Sequence, residues 1–130
     1  MDHLAHSITD NDAIEARNTF IQLGNAEGGL AKWAEPEHEA SPEVAAIRLV
    51  LNDFELISTS IQFGIMDFDF YRQQNFGTVI RYWKAAAPFI HALRQRTGRQ
   101  TLYAEFEVLA EWMDKDLRPS RRGKFLRKFF

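Results

Sequence analysis

The chain has 130 residues, 18 acidic and 16 basic side chains, and no cysteine. That length suits one domain with a single core. A 45% hydrophobic and 26% charged composition marks a globular chain rather than a disordered one. The absence of cysteine excludes disulfides, thiolate metal sites, iron–sulfur clusters and a thiol nucleophile. The formal charge of -2 conceals a gradient. Residues 1–60 hold 11 acids against 3 bases, residues 61–116 hold 7 of each, and residues 117–130 hold 6 bases and no acid.

In chain order, residues 1–9 read as a polar lead-in without the basic start and apolar centre of a signal peptide. No run approaches the roughly 18 apolar residues of a spanning helix, so the expected location is cytoplasmic. Thr9 or Asp10 caps a first predicted helix to about Leu23, with Ala13, Ala16, Phe20 and Leu23 at helical spacing. Gly24-Asn25 stops it, and Gly28 to Ala40 reads as an irregular segment anchored by Trp33.

Ser41-Pro42-Glu43 is a strong helix start: a cap, proline at the first helical position and an acid in the first turn. The helix predicted from Pro42 to about Phe63 carries one apolar stripe through Val44, Ile47, Val50 and Leu51, Phe54, Ile57 and Ile61. A second flank holds Leu49, Leu56 and Phe63, which predicts a helix packed on both sides. A polar stripe runs through Arg48, Asn52, Glu55, Thr59 and Gln62. Gly64 ends the helix. Asp67 caps a short helix to about Asn75, and Gly77 is expected to break it. A long helix follows from Thr78 to about Thr97, with a kink or break expected at Pro88. The last helix is expected from Thr101 to about Asp116. The predicted fold is all-α, an irregular antiparallel bundle of four to five helices over residues 1–116, followed by a basic tail over residues 117–130.

Chemistry-bearing constellations are sparse. His3 and His6 share a spacing but lack further ligands, His38 sits among glutamates, and His91 borders an apolar face as a partly buried structural residue. Glu105 and Glu107 point apart on a helix, and Asp67 and Asp69 suit a cap and a first turn. Gly24, Gly28 and Gly29 match no phosphate loop. The reading is therefore non-enzymatic, without cofactor, metal or small-molecule substrate. Glu55 lies between two apolar flanks, and if it is turned inward it needs a cation such as Arg81 or Arg94.

Two surfaces stand out. Phe63, Phe68, Phe70, Tyr71 and Phe76 fall within 14 residues, more rings than one small segment buries without a neighbour. They serve either to plug the bundle or to anchor a protein partner. The tail combines Arg121, Arg122, Lys124, Arg127 and Lys128 with Phe125, Leu126, Phe129 and Phe130. Helical from Lys124, its apolar residues would form one stripe flanked by bases. That layout suits docking on the acidic first half or on a second subunit, binding at an anionic membrane surface, or gripping nucleic-acid phosphates with phenylalanines stacked on bases.

Several segments together resemble an uncharacterised helical domain of bacteria and their phages, domain-of-unknown-function family 4760. They are Leu51-Asn52-Asp53-Phe54-Glu55, Gly64-Ile65-Met66-Asp67, Ile80-Arg81-Tyr82-Trp83, Pro88-Phe89-Ile90, Arg94, and the run from Tyr103 to Trp112. The resemblance spans about residues 42–113. It implies an all-helical domain with no established activity and no catalytic residues to carry over. Many relatives carry a membrane-spanning segment before the domain, a pattern from which this chain departs. The recurring polar positions match Asn52, Glu55, Arg81, Arg94 and Glu107, expected as a structural network between helices. The functional expectation is a protein-interaction module, with self-association or inhibition of a host protein by a phage product as instances.

Overall fold

A computed structural model describes residues 10–115. Among them are four α-helices and no strand: α1 (Asp10–Asn25), α2 (Pro42–Gln62), α3 (Phe68–Thr97) and α4 (Ala104–Asp114). Two short 3-10 turns, Ala31–Ala34 and Pro36–His38, fill the connection from α1 to α2. The fold is all-α, as the helical spacing of apolar residues requires.

Local chemistry sets most of the boundaries. The Ser41 hydroxyl accepts from the Val44 amide at 3.1 Å, and Pro42 opens α2. Past its last turn, Gly64 adopts φ 78°, its amide donates to the Ile61 carbonyl, and the Ile65 amide reaches back to the Ser60 carbonyl at 2.9 Å. This paired-bond stop needs a left-handed residue, which glycine supplies without a Cβ penalty. Asp67 then caps α3 by accepting from the Phe70 amide at 2.8 Å. At its far end Gly98 is left-handed, with φ 74°.

Three sequence expectations are corrected. Gly77 does not break the chain, and α3 runs unbroken through both Gly77 and Pro88. An interior glycine costs about 1 kcal/mol and an interior proline about 3 kcal/mol. Buried Tyr71 and Val79 hold the helix on either side of the glycine, and buried Ala86, Phe89, Ile90 and Leu93 hold it around the exposed proline. The last helix begins at Ala104 rather than Thr101, because Tyr103 is left-handed at φ 58°. The second flank of α2 is packed only in part: Leu49 is half-buried against the core, whereas Leu56 is 65% exposed and Phe63 is 50% exposed. α1 and α4 both pack against α2, and no further helix among the described residues covers the face bearing Leu56.

The core is strung on aromatic rings contributed by all four helices. Phe20 of α1 stacks on Tyr82 of α3 at 5.1 Å, and Tyr82 meets Phe54 of α2 at 5.4 Å. Phe54 stacks nearly parallel on Phe106 of α4 at 4.5 Å, and Trp83 meets Phe106 edge-on at 5.2 Å. Each such pair adds about 1 kcal/mol beyond the area it buries. The α1–α2 connection is held from α3, where the Arg96 side chain donates to the Ala34 carbonyl at 2.8 Å.

Candidate interaction surface and polar clamp

The elbow between α2 and α3 sorts its rings into two groups. Tyr71 is buried, and half-buried Phe68 meets Trp112 of α4 edge-on at 6.0 Å. These two close the end of the core. Phe63 and Phe76 are about half exposed, Phe70 is 64% exposed and Ile65 is 82% exposed. Residue Ile65 follows the glycine stop directly, a place where an apolar side chain commonly folds back on the last helical turn. Here it points out instead. The Arg72 guanidinium lies over the Phe76 ring at 5.2 Å and donates to the Met113 carbonyl at 3.3 Å, tying the elbow to the end of α4. Burial pushes the Tyr71 phenol up from its ordinary value of 10 to about 12, and the negative charge of Asp53 adds to the shift.

The polar residues singled out in the sequence do not form one network. Three converge on the start of α4. One Glu55 carboxylate oxygen accepts from the Phe106 amide at 2.6 Å, so α2 supplies an acceptor to one of the amides that open α4. The buried Arg94 side chain donates through Nε to the Leu102 carbonyl at 2.9 Å and forms an ion pair with Glu107 at 2.9 Å. Gln62 of α2 donates to the Glu105 carboxylate, adding a second tie from α2. Asn52 and Arg81 lie elsewhere. Asn52 is exposed on α2, and exposed Arg81 donates to Thr78 on its own helix at 3.3 Å. Glu55 therefore meets the Phe106 backbone amide, while Arg94 goes to Glu107 and Arg81 to Thr78.

This clamp surrounds a strained residue. A left-handed non-glycine conformation costs about 1–2 kcal/mol and persists only where its surroundings hold it. The buried ring of Tyr103, the Arg94 bond to the preceding carbonyl and the Glu55 bond three residues on supply that hold. Burial raises the Tyr103 phenol above its ordinary value; Glu55 adds to the shift and Arg48 opposes it.

A third feature was not singled out in the sequence. Between α1 and α2 lies an apolar groove of about 390 Å³. Ala16, Val50 and Phe54 form its buried base, while Arg17, Asp53 and Leu56 stand exposed at its edge. Its signal was the Leu49, Leu56, Phe63 flank, read as a packed face.

Among the histidines, His38 tilts against Trp33 at 4.6 Å. His91 is exposed rather than partly buried, its ring edge-on to Trp83 at 6.3 Å. Among the described residues no three His, Asp or Glu side chains group to hold a metal, and no helix is long and apolar enough to cross a membrane. His3, His6 and the tail residues Arg121, Arg122, Lys124, Phe125, Arg127, Lys128, Phe129 and Phe130 lie outside the described residues. Neither the curated proteins nor the solved structures contain a match to this chain. A model of a domain of unknown function, DUF4760, does match, over residues 1–113, and the chain belongs to that family.

Proposed function

We propose that the chain is a non-enzymatic protein-interaction module whose contact surface is the α2–α3 elbow, and that a second copy of the chain is its partner. The observation that carries this reading is the outward set of Phe63, Ile65, Phe70 and Phe76 within 14 residues. Exposed aromatic anchors concentrated in one place are the usual material of protein contact sites. The choice of a second copy rests on charge. Residues 61–116 hold 7 acids and 7 bases, and the elbow presents Asp67 and Asp69 near Arg72. A patch carrying both signs can set its acids against the base of its own image across a two-fold axis, as an isologous contact requires.

The test is sedimentation of the full chain across a concentration series, with a double variant Ile65→Asp and Phe70→Asp alongside. Both side chains are exposed, so the variant is expected to keep the wild-type helical spectrum. The expected outcome is a dimer for the wild type at high concentration and a monomer for the variant at every concentration. A wild-type chain that stays monomeric throughout, or a variant that dimerises as well as the wild type, contradicts the reading.

A further inference from the structure

The α1–α2 groove and the basic tail are both unaccounted for by the elbow, and their chemistry is complementary. The groove has an apolar base of Ala16, Val50 and Phe54, with Leu56 standing 65% exposed at its edge. Asp53 and Arg17 stand at its edge, and α1, which forms one wall, also carries exposed Asp10, Asp12 and Glu15, three acids against that one base. The first 60 residues of the chain hold 11 acids against 3 bases. Residues 117–130 hold 6 bases and no acid, with Phe125, Leu126, Phe129 and Phe130 among them. An apolar slot in an acidic face calls for an occupant that is apolar along one side and basic around it.

The connection is long enough. The Arg72 contact with Met113 and the Phe68 contact with Trp112 place the end of α4 beside the first turns of α3, next to the end of α2. From Phe63 back to Val50 at the groove base is about 20 Å along α2 at the helical rise. The ten residues from Lys115 to Phe125 span up to about 33 Å when extended, which covers that path with chain to spare.

We propose that residues 117–130 occupy the α1–α2 groove of their own chain, with the phenylalanines on the apolar base and the bases facing the acids of α1 and Asp53. The proposal is independent of the elbow reading, since the groove residues Ala16, Val50, Phe54 and Leu56 are not among the elbow residues Phe63, Ile65, Phe70 and Phe76.

The absence of cysteine makes a site-specific probe simple. In the full chain, Ser120→Cys carries a nitroxide label, and amide signal loss is read by nuclear magnetic resonance with the reduced label as reference. The expected result is strong loss at residues 13–17 and 49–56, weakened by about 0.5 M salt because screening removes the charge contribution. A mixture of isotope-labelled untagged chain with unlabelled tagged chain is expected to show none of that loss. Leu56→Asp, at an exposed position, is expected to restore those signals while leaving the rest of the spectrum in place. Loss that appears in the mixed sample puts the tail in a second copy and overturns the proposal. Loss centred on residues 63–76, no localised loss, or loss unchanged by Leu56→Asp overturns it equally.

Discussion

Glu55 shows how a single side chain acquires a role that its own neighbourhood does not reveal. Its spacing on α2 marks it as an acid between apolar flanks, and the cheapest partner on paper is an arginine. The structure gives it the Phe106 amide, on a helix far away in sequence. The start of α4 explains why: Gln100, Thr101, Leu102 and Tyr103 precede it, and its cap position, Tyr103, provides no side-chain acceptor. A helix start without a local cap and an acid stranded on another helix are two halves of one signal, visible in sequence but not linkable without the fold. Replacing Glu55 by alanine is expected to cost about 1–2 kcal/mol, the scale of losing a helix-capping acceptor. Glutamine, which keeps an acceptor oxygen but loses the charge, should fall between the two in thermal melts. Equal melting of wild type and Glu55→Ala would mean that α4 starts without help from α2.

Tyr71 makes a second residue-scale prediction, in pH. Its phenol holds its proton up to about 12 in the folded chain, against about 10 when exposed, because burial and Asp53 both oppose the charged form. The folded state thus binds the proton more tightly than the unfolded state. Stability from this group is intact below pH 10 and is lost as pH climbs from 10 towards 12. Denaturant midpoints measured across that window should fall, and Tyr71→Phe should fall less steeply than the wild type. The buried aromatic spine was legible at this scale: Phe20, Phe54, Tyr82 and Phe106 all sit on helical stripes in the sequence. The division of the elbow rings into buried Tyr71 and exposed Phe70 was not, because adjacent residues on a helix differ only in which side the neighbours occupy.

At the scale of elements, the helix starts at Ser41-Pro42 and Asp67 and the stops at Gly64 and Gly98 were readable, because each rests on chemistry within a few residues. The break expected at Gly77 failed because propensity is a small term beside the packing on either side of it. That comparison has a consequence. A Cβ at position 77 would approach only the far end of the flexible Arg81 side chain, at 3.4 Å, and Gly77 is not in the left-handed region. Gly77→Ala should therefore stabilise α3 by about 0.5–1 kcal/mol, raising the melting temperature. Gly98, at φ 74°, offers the opposite control, and Gly98→Ala should destabilise. A drop in stability for Gly77→Ala would show that the backbone there is held by something tighter than the Arg81 side chain.

For the whole molecule, α1 and α4 pack against α2, which leaves part of one side of that helix outward, from Leu56 to Phe63. The sequence displayed these residues as a second apolar flank, and an apolar flank normally implies a covering helix. Which of two apolar flanks is covered depends on where α1 and α4 land, a long-range outcome that periodicity does not encode. The exposed side ends at the elbow, where Phe63, Ile65, Phe70 and Phe76 gather, and the central claim is that these four residues are covered by a partner copy. The most direct measurement is covalent footprinting of side-chain accessibility on the full chain, at a dilute and at a high protein concentration. Labelling of Phe63, Ile65, Phe70 and Phe76 is expected to fall at high concentration as the chain dimerises. Labelling of the elbow that stays constant while the mass doubles, or that stays constant because the mass does not change, would contradict it.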